Sequence, residues 1–312
     1  MTPTFRLVTR SDFDGLVCGL LLREAGMIDE IKFVHPKDMQ DGTVPISGRD
    51  IITNLPFVEG CHLAFDHHAS EIARAEAPPP PNHVIDPAAA SAARVVYDFL
   101  GGRRTFPGIS DEMMTAVDRA DSAQFTRDEI LDPQGWVLLN FLMDPRTGLG
   151  RFRSFRISNY DLMMQLIERC RSMPIHEILA LPDVAERVAL YREQATSFVE
   201  QVLRCTTVHG KLALIDLRAE DTIQAGNRFM VYALFPQCDI SMHVMWGLRG
   251  QNTVLAIGKS ILDRGSPVDV GAVCLGYGGG GHRAAGTCQV ANEEAETVKA
   301  SLLPLLGRTG LI

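Results

Sequence analysis

Phe5-Arg6-Leu7-Val8-Thr9-Arg10-Ser11-Asp12-Phe13-Asp14-Gly15 opens the chain with the pattern that decides its architecture. Phe5 to Thr9 is a short run of strand-forming residues, it breaks into a polar turn, and Leu16 to Ala25 then reads as a helix stopped by Gly26. Further strand-like runs follow at Ile31 to Val34, Asp50 to Thr53 and His62 to Phe65. After the proline run Pro78 to Pro81, VID at 84 to 86 reads as a strand end and Ser91 to Leu100 as a helix before the Gly101-Gly102 turn. Strands alternating with helices in this way predict a parallel α/β sheet.

An open parallel sheet binds ligands beyond the carboxyl ends of its strands, so the residues just past each strand are the ones to read for chemistry. Phe5 to Thr9 runs into Arg10, Asp12 and Asp14, Asp50 to Thr53 into Asn54, and His62 to Phe65 into Asp66-His67-His68. Carboxylates suit hard cations, and imidazole tilts the choice toward Mn²⁺, so Asp12, Asp14, Asp66, His67 and His68 form a candidate metal group. Asp-x-Asp-Gly alone is also what a turn with a helix N-cap looks like. Its occurrence together with Asp-His-His at successive strand ends favours a site.

From Tyr160 to about Arg204 the pattern is mostly helical, interrupted near Pro174 and Pro182, and strands return at Lys211 to Asp216, Asp239 to Trp246 and Thr253 to Ile257. A chain of 312 residues with 46% apolar residues can fill two cores. The expected organisation is an N-terminal parallel-sheet domain over residues 1–145, a helical connector over 146–205, and a smaller C-terminal α/β domain over 206–312, with the active-site cleft between the two domains.

Tyr277-Gly278-Gly279-Gly280-Gly281-His282-Arg283-Ala284-Ala285-Gly286 is the most specific string in the second half. Glycines let backbone N–H groups approach an anion, and His282 and Arg283 add directed donors, which makes this a candidate phosphate loop. A packing turn would use the same residues. Upstream, Lys259 and Arg264 are further candidate phosphate contacts, and Arg146, Arg151, Arg153 and Arg156, interleaved with Phe152 and Phe155, form a basic cluster that reads first as a solvated connector surface and otherwise as a groove wall steering a short nucleic acid or polyphosphate.

The net charge of −8 disfavours long duplex nucleic acid, whose binding depends on neutralising phosphates with Lys and Arg. Seven cysteines with no CxxC pair read as reduced core thiols. No stretch of eighteen apolar residues occurs and acids fall where a signal peptide needs its apolar run, so a soluble, cytoplasmic protein with no membrane contact is expected. The oligomeric state stays open.

Asp12-Phe13-Asp14-Gly15, Asp66-His67-His68 and Ala120-Asp121-Ser122 together resemble the motifs of the DHH phosphoesterase superfamily, and the glycine-rich string resembles the GGGH motif of its associated C-terminal domain. That family includes RecJ-type exonucleases, oligoribonuclease and pAp phosphatases, cyclic dinucleotide phosphodiesterases and some exopolyphosphatases. The resemblance covers nearly the whole chain. It implies a metal-dependent hydrolase acting on a phosphodiester, phosphomonoester or phosphoanhydride bond in a small nucleotide, a short single-stranded oligonucleotide or polyphosphate. It further implies Asp12 at one metal, Asp14, His67 and Asp121 at another, Asp66 orienting the histidines, and His68 on the phosphate or leaving group. Gly279, Gly280, Gly281, His282 and Arg283 would hold the part of the substrate that is not cleaved. The GGGH-type domain argues against inorganic pyrophosphatase activity.

Two positions depart from the family pattern. Arg10 stands where a histidine ligand usually does, and Asn54 where a bridging aspartate does. A guanidinium has only donors and cannot ligate a cation, and a neutral amide bridges two dications poorly. One Mn²⁺ (or Mg²⁺ or Co²⁺) is therefore expected, with a second position weakened, and Arg10 is expected to take over the charge of the missing ion. The rival expectation is a catalytically impaired nucleotide- or anion-binding regulatory protein.

Overall fold

The computed structural model describes residues 4–68, 72, 78–152 and 154–308; Arg153 of the basic cluster lies outside them. Strands β1 (Phe5–Thr9), β2 (Ile28–Phe33), β3 (Asp50–Thr53), β4 (Leu63–Asp66) and β5 (His83–Ile85) form a sheet in the order β2-β1-β3-β4-β5, with every neighbouring pair parallel. The chain leaves β1 to one side to make β2 and comes back on the other side as β3. The gap between the carboxyl ends of β1 and β3 is therefore the topological switch point, where such sheets bind ligands. The two strand ends are tied there by Thr9 Oγ1 donating to the Thr53 carbonyl at 3.1 Å and Thr53 Oγ1 to Thr9 Oγ1 at 2.7 Å.

The helix Phe13–Glu24 follows β1 and is buried nearly all round, from Phe13 through Leu22. Its apolar residues do not form a single stripe, because it packs on the sheet and also against the helices Ala92–Phe99, Asp111–Asp121 and Asn159–Arg169. On the other face of the sheet Val8, Ile52 and Ala64 pack with Met39, Leu55 and Cys61.

A second sheet contains β6 (Thr206–His209), β7 (Leu212–Asp216), β8 (Ile240–Trp246), β9 (Thr253–Lys259), β10 (Gly280–His282) and β11 (Ala285–Val290), in the order β10-β11-β9-β8-β7-β6. Only the β7–β8 pairing is parallel among these. One face is apolar: Leu212, Leu214, Ile240, Met242, Val244, Leu255 and Ile257 pack against Val270, Cys274, Leu302 and Leu306 of the helices Val270–Leu275 and Ala295–Leu306.

The chain divides into two compact units, residues 1–124 with 133–190, and 125–132 with 191–312. The stretch 146–205, expected as a separate connector, is shared between them, the division falling inside the long helix Pro182–Cys205. Pro174 and Pro182 mark helix starts at the N-cap and first position, where a missing N–H costs nothing. The segment 125–132 joins the second unit because Asn227 Nδ2 donates to the Ile130 carbonyl at 2.8 Å and the Arg127 guanidinium to the Ala233 carbonyl. Six of the seven cysteines are buried thiols, Cys205 being partly exposed. Among the described residues no helix is long and apolar enough to cross a membrane.

Candidate metal centre

Gly15 sets the turn that carries the first motif. A Cβ there would lie 2.0 Å from the Arg10 carbonyl oxygen, so only glycine lets the helix start so tightly against the end of β1. Asp12 caps that helix, its Oδ1 accepting from the Gly15 N–H at 3.0 Å and from Asn54 Nδ2 at 3.4 Å, while Oδ2 lies 3.1 Å from Arg10 Nε. Asp14, in the first turn of that helix, is 2% exposed. Its carboxylate accepts the Ala92 and Ala93 N–H groups at 3.1 and 2.8 Å, the free donors of a helix N-terminus that Ser91 caps.

Asp14, His67 and Asp121 each present a ligand atom within 4.8 Å of the others. His67 follows β4, and Asp121 is the last residue of the helix Asp111–Asp121. Burial pushes Asp14 well above the usual carboxylate range, and the charges of Asp121 and Asp12 push it further. Burial alone would pull His67 down, but Asp121, Asp14 and Asp66 outweigh it and lift His67 to about 9. Asp121 is held below its ordinary value because His67, His68 and Arg10 outweigh its own burial.

The donor set fits a divalent cation. His67 Nδ1 is 3.3 Å from the Ala89 carbonyl, the partner that turns Nε2 toward the carboxylates. That buried Nε2 lies 2.8 Å from Asp121 Oδ2 and in the metal-free protein carries a proton facing that carboxylate, the position a cation would take in its place. An imidazole nitrogen aimed between two carboxylates of opposite need is what a transition ion satisfies.

The other expected ligands sit differently. Asp12 and Asn54 are not in the three-residue group: the oxygens of Asp12 are taken up by the helix cap, Asn54 and Arg10. Asn54 occupies left-handed backbone (φ 53°), which asparagine tolerates, and its buried Oδ1 lacks a hydrogen-bond partner. Asp66 is 1% exposed; its Oδ1 accepts the His67 backbone N–H at 2.8 Å and is 2.6 Å from His68 Nδ1, so it holds the His68 ring and the backbone, but not the ring, of His67.

Sequence reasoning left Arg146 undistinguished within its basic cluster. Asp144 grips it with a two-pronged fork, 2.7 Å to Nε and 2.8 Å to Nη2, and the charges of Asp144, Asp12 and Asp121 hold its guanidinium firmly protonated against burial. Nothing in its local sequence pattern separates it from Arg151 or Arg156.

In the second unit the glycine string forms β10 and its turn into β11 rather than a loop: Gly280 pairs with Thr287, Gly281 with Gly286 and His282 with Ala285. Gly281 has φ 155° and no room for a Cβ, which would meet the Ala285 carbonyl oxygen at 2.3 Å. Gly279 to Arg283 remain largely exposed, and His282 Nδ1 accepts the Ala284 N–H at 3.2 Å. Lys259 Nζ donates to the Ser266 carbonyl at 3.0 Å, and Arg264 lies exposed with Nε 3.4 Å from the Ile261 carbonyl.

A parallel sheet ordered 2-1-3-4-5 with Asp14 and His67 at the ends of two of its strands, joined by Asp121, is the arrangement a DHH-type hydrolase would present. No family model matches the chain, and no curated protein does. Among solved structures it is similar to the pGpG-specific phosphodiesterase PggH from Vibrio cholerae, at 59% identity and a TM-score of 0.84, covering 98% of this chain and 100% of that one. It shares its fold with the DHH domain of a member of the s1p family of ribosomal proteins (13% identity, TM-score 0.58, covering 99% of this chain and 88% of that one). It shares it also with the exonuclease RecJ bound to manganese (13%, 0.52, 98% and 91%). The chain belongs to the DHH phosphoesterase superfamily and is a phosphoesterase.

Proposed function

We propose that this phosphoesterase hydrolyses the phosphodiester bond of a short 5′-phosphorylated dinucleotide of the pGpG type. The observation that carries the reading is 59% identity along the full length of a phosphodiesterase specific for pGpG. It is supported by the gathering of Asp14, His67 and Asp121 around one position.

Asp14, His67 and Asp121 would hold a divalent cation, Mn²⁺ by the donor chemistry, and when bound it would supply Lewis-acid polarisation and a more acidic water. Arg10, paired with Asp12 at 3.1 Å, contributes a fixed positive charge on the flank that lacks the family's histidine and bridging aspartate. His68, oriented through Nδ1 by the buried Asp66, directs Nε2 to the phosphate and delivers a proton to the departing 3′ oxygen. Gly279 to Arg283 of the second unit are the candidate contacts for a substrate phosphate.

The test is turnover of pGpG by purified protein with Mn²⁺, followed by chromatography of the products. Release of GMP supports the reading. Tight pGpG binding with no product under Mn²⁺, Mg²⁺ or Co²⁺ would instead select a binding protein that has lost turnover.

A further inference from the structure

The three candidate ligands come from separate parts of the chain, and one short segment bears on the setting of each. That segment is 89–94, the end of the turn after β5 and the start of the helix Ala92–Phe99. The Ala89 carbonyl is 3.3 Å from His67 Nδ1, and the Ala92 and Ala93 N–H groups donate to the Asp14 carboxylate at 3.1 and 2.8 Å. The helices Phe13–Glu24, Ala92–Phe99 and Asp111–Asp121, the last of which carries Asp121, all pack on one another.

The Ser91 side chain holds this segment in place. Ser91 is 0% exposed, and its Oγ caps the helix Ala92–Phe99 by accepting the Arg94 N–H at 3.0 Å. A hydroxyl has one proton to place, and this one goes to Asp118 Oδ1 at 2.8 Å. The other oxygen of Asp118 takes the Arg94 guanidinium, with Nε at 3.0 Å and Nη2 at 2.6 Å. Asp118 stands three residues before Asp121 on the helix Asp111–Asp121, a spacing that puts the two on one face.

We propose that Asp118 is a positioning residue of the metal centre: by fixing the Ser91 hydroxyl it sets the segment that holds Asp14 and His67 against the helix that carries Asp121. A charged acceptor grips a buried hydroxyl more firmly than a neutral one does. With its proton committed to Asp118, Ser91 Oγ keeps its lone pairs for the Arg94 N–H, and the Ala92 and Ala93 N–H groups are left to Asp14. Asp118 touches none of the three ligands, so its effect runs through the distances between them, as outer partners of metal ligands commonly act. The partly exposed ion pair with Arg94 would by itself contribute little. What ties Asp118 to the ligands is the buried serine.

This inference rests on the cation reading of Asp14, His67 and Asp121, and its test separates the two. Calorimetric Mn²⁺ titrations are compared for the parent, Asp118→Ala, Ser91→Ala, the double variant and Asp111→Ala, which removes an exposed acid paired with Arg103 at the opposite end of the same helix. Asp118→Ala should weaken Mn²⁺ binding by about 10-fold to 100-fold with the parent's stoichiometry kept. A loss of folding alone would lower the stoichiometry and leave the dissociation constant of the folded fraction unchanged. Ser91→Ala should give a similar loss, and the double variant no more than the larger single one, since both remove one hydrogen bond. Asp111→Ala should bind Mn²⁺ as the parent does. Unchanged affinity in Asp118→Ala, equal weakening in Asp111→Ala, or losses that add in the double variant would each overturn the proposal. Should Asp118→Ala not fold, Ser91→Ala against Asp111→Ala decides alone. Should the parent bind no Mn²⁺, the cation reading fails by itself, and amide exchange in metal-free protein decides the positioning role. Exchange at Ala92 and Ala93 should then quicken by about tenfold in Asp118→Ala and not in Asp111→Ala. Exchange unchanged in Asp118→Ala would overturn that role as well.

Discussion

The two flanks of the switch point compensate their carboxylates in opposite ways. On the flank of Asp14, His67 and Asp121, donor atoms converge within 4.8 Å, two acids and an imidazole shift one another's protonation, and the geometry asks for a cation. On the flank of Arg10, Asp12 and Asn54, the carboxylate is already answered by a guanidinium at 3.1 Å and by a helix N-terminus. On the proposed reading, a family pattern that elsewhere places ligands on both flanks becomes one ion site beside one fixed charge. The fixed charge needs no metal to be present and, unlike an ion, cannot generate a nucleophile.

The largest effect expected from breaking this asymmetry is on the ion flank. His67→Ala or Asp121→Ala should abolish stoichiometric Mn²⁺ binding and cut kcat by about 10³-fold or more, the order of several kcal/mol of lost charge stabilisation. Calorimetric titration and turnover measure both. Retained Mn²⁺ binding in either variant would move the ion elsewhere.

Acidity comes next. His67 has a folded value raised to about 9, so its stabilising contribution in metal-free protein is complete below about 6.5 and is lost as pH rises through 9. A cation must displace that proton, so apparent Mn²⁺ affinity should rise about tenfold per pH unit up to about pH 9. Thermal melts in chelator and Mn²⁺ titrations between pH 6.5 and 9 check the two slopes. A flat affinity would remove His67 from the ligand set.

On the fixed-charge flank, Arg10→Ala should cost about 10-fold to 100-fold in kcat while leaving Mn²⁺ affinity within a few-fold, because it removes transition-state charge and no ligand. Combining Arg10→His with Asn54→Asp should restore a full second site, read as a rise from one bound Mn²⁺ to two. The smallest effect belongs to Asp144→Asn, which loosens the fork on Arg146 and should lower kcat/KM only several-fold, seen in a steady-state comparison with the parent.

How much of this was legible in the sequence follows from the range of the interactions. β1, β3 and β4 read out within a residue because buried parallel strands are continuous apolar runs, and the residues after them had to converge once the sheet was parallel. β10 was hidden because Gly-Gly-His carries no alternating pattern; it is a strand only through its pairing with β11. Asp121 could be singled out by family resemblance alone, since its helix brings it to His67 from over fifty residues away. Arg146 gave no local signal: the charges that hold it come from Asp12 and Asp121, distant in the chain, as well as from Asp144. The same holds for the segment 125–132, which belongs to the second unit through contacts with Asn227 and Ala233.

The claim that one flank takes an ion and the other supplies a charge is tested most directly by anomalous scattering from a Mn²⁺-soaked crystal of the parent protein. The account predicts a single strong peak bounded by Asp14, His67 and Asp121. A second peak of comparable height between Asp12 and Asn54, with Arg10 displaced from its pairing, would contradict it.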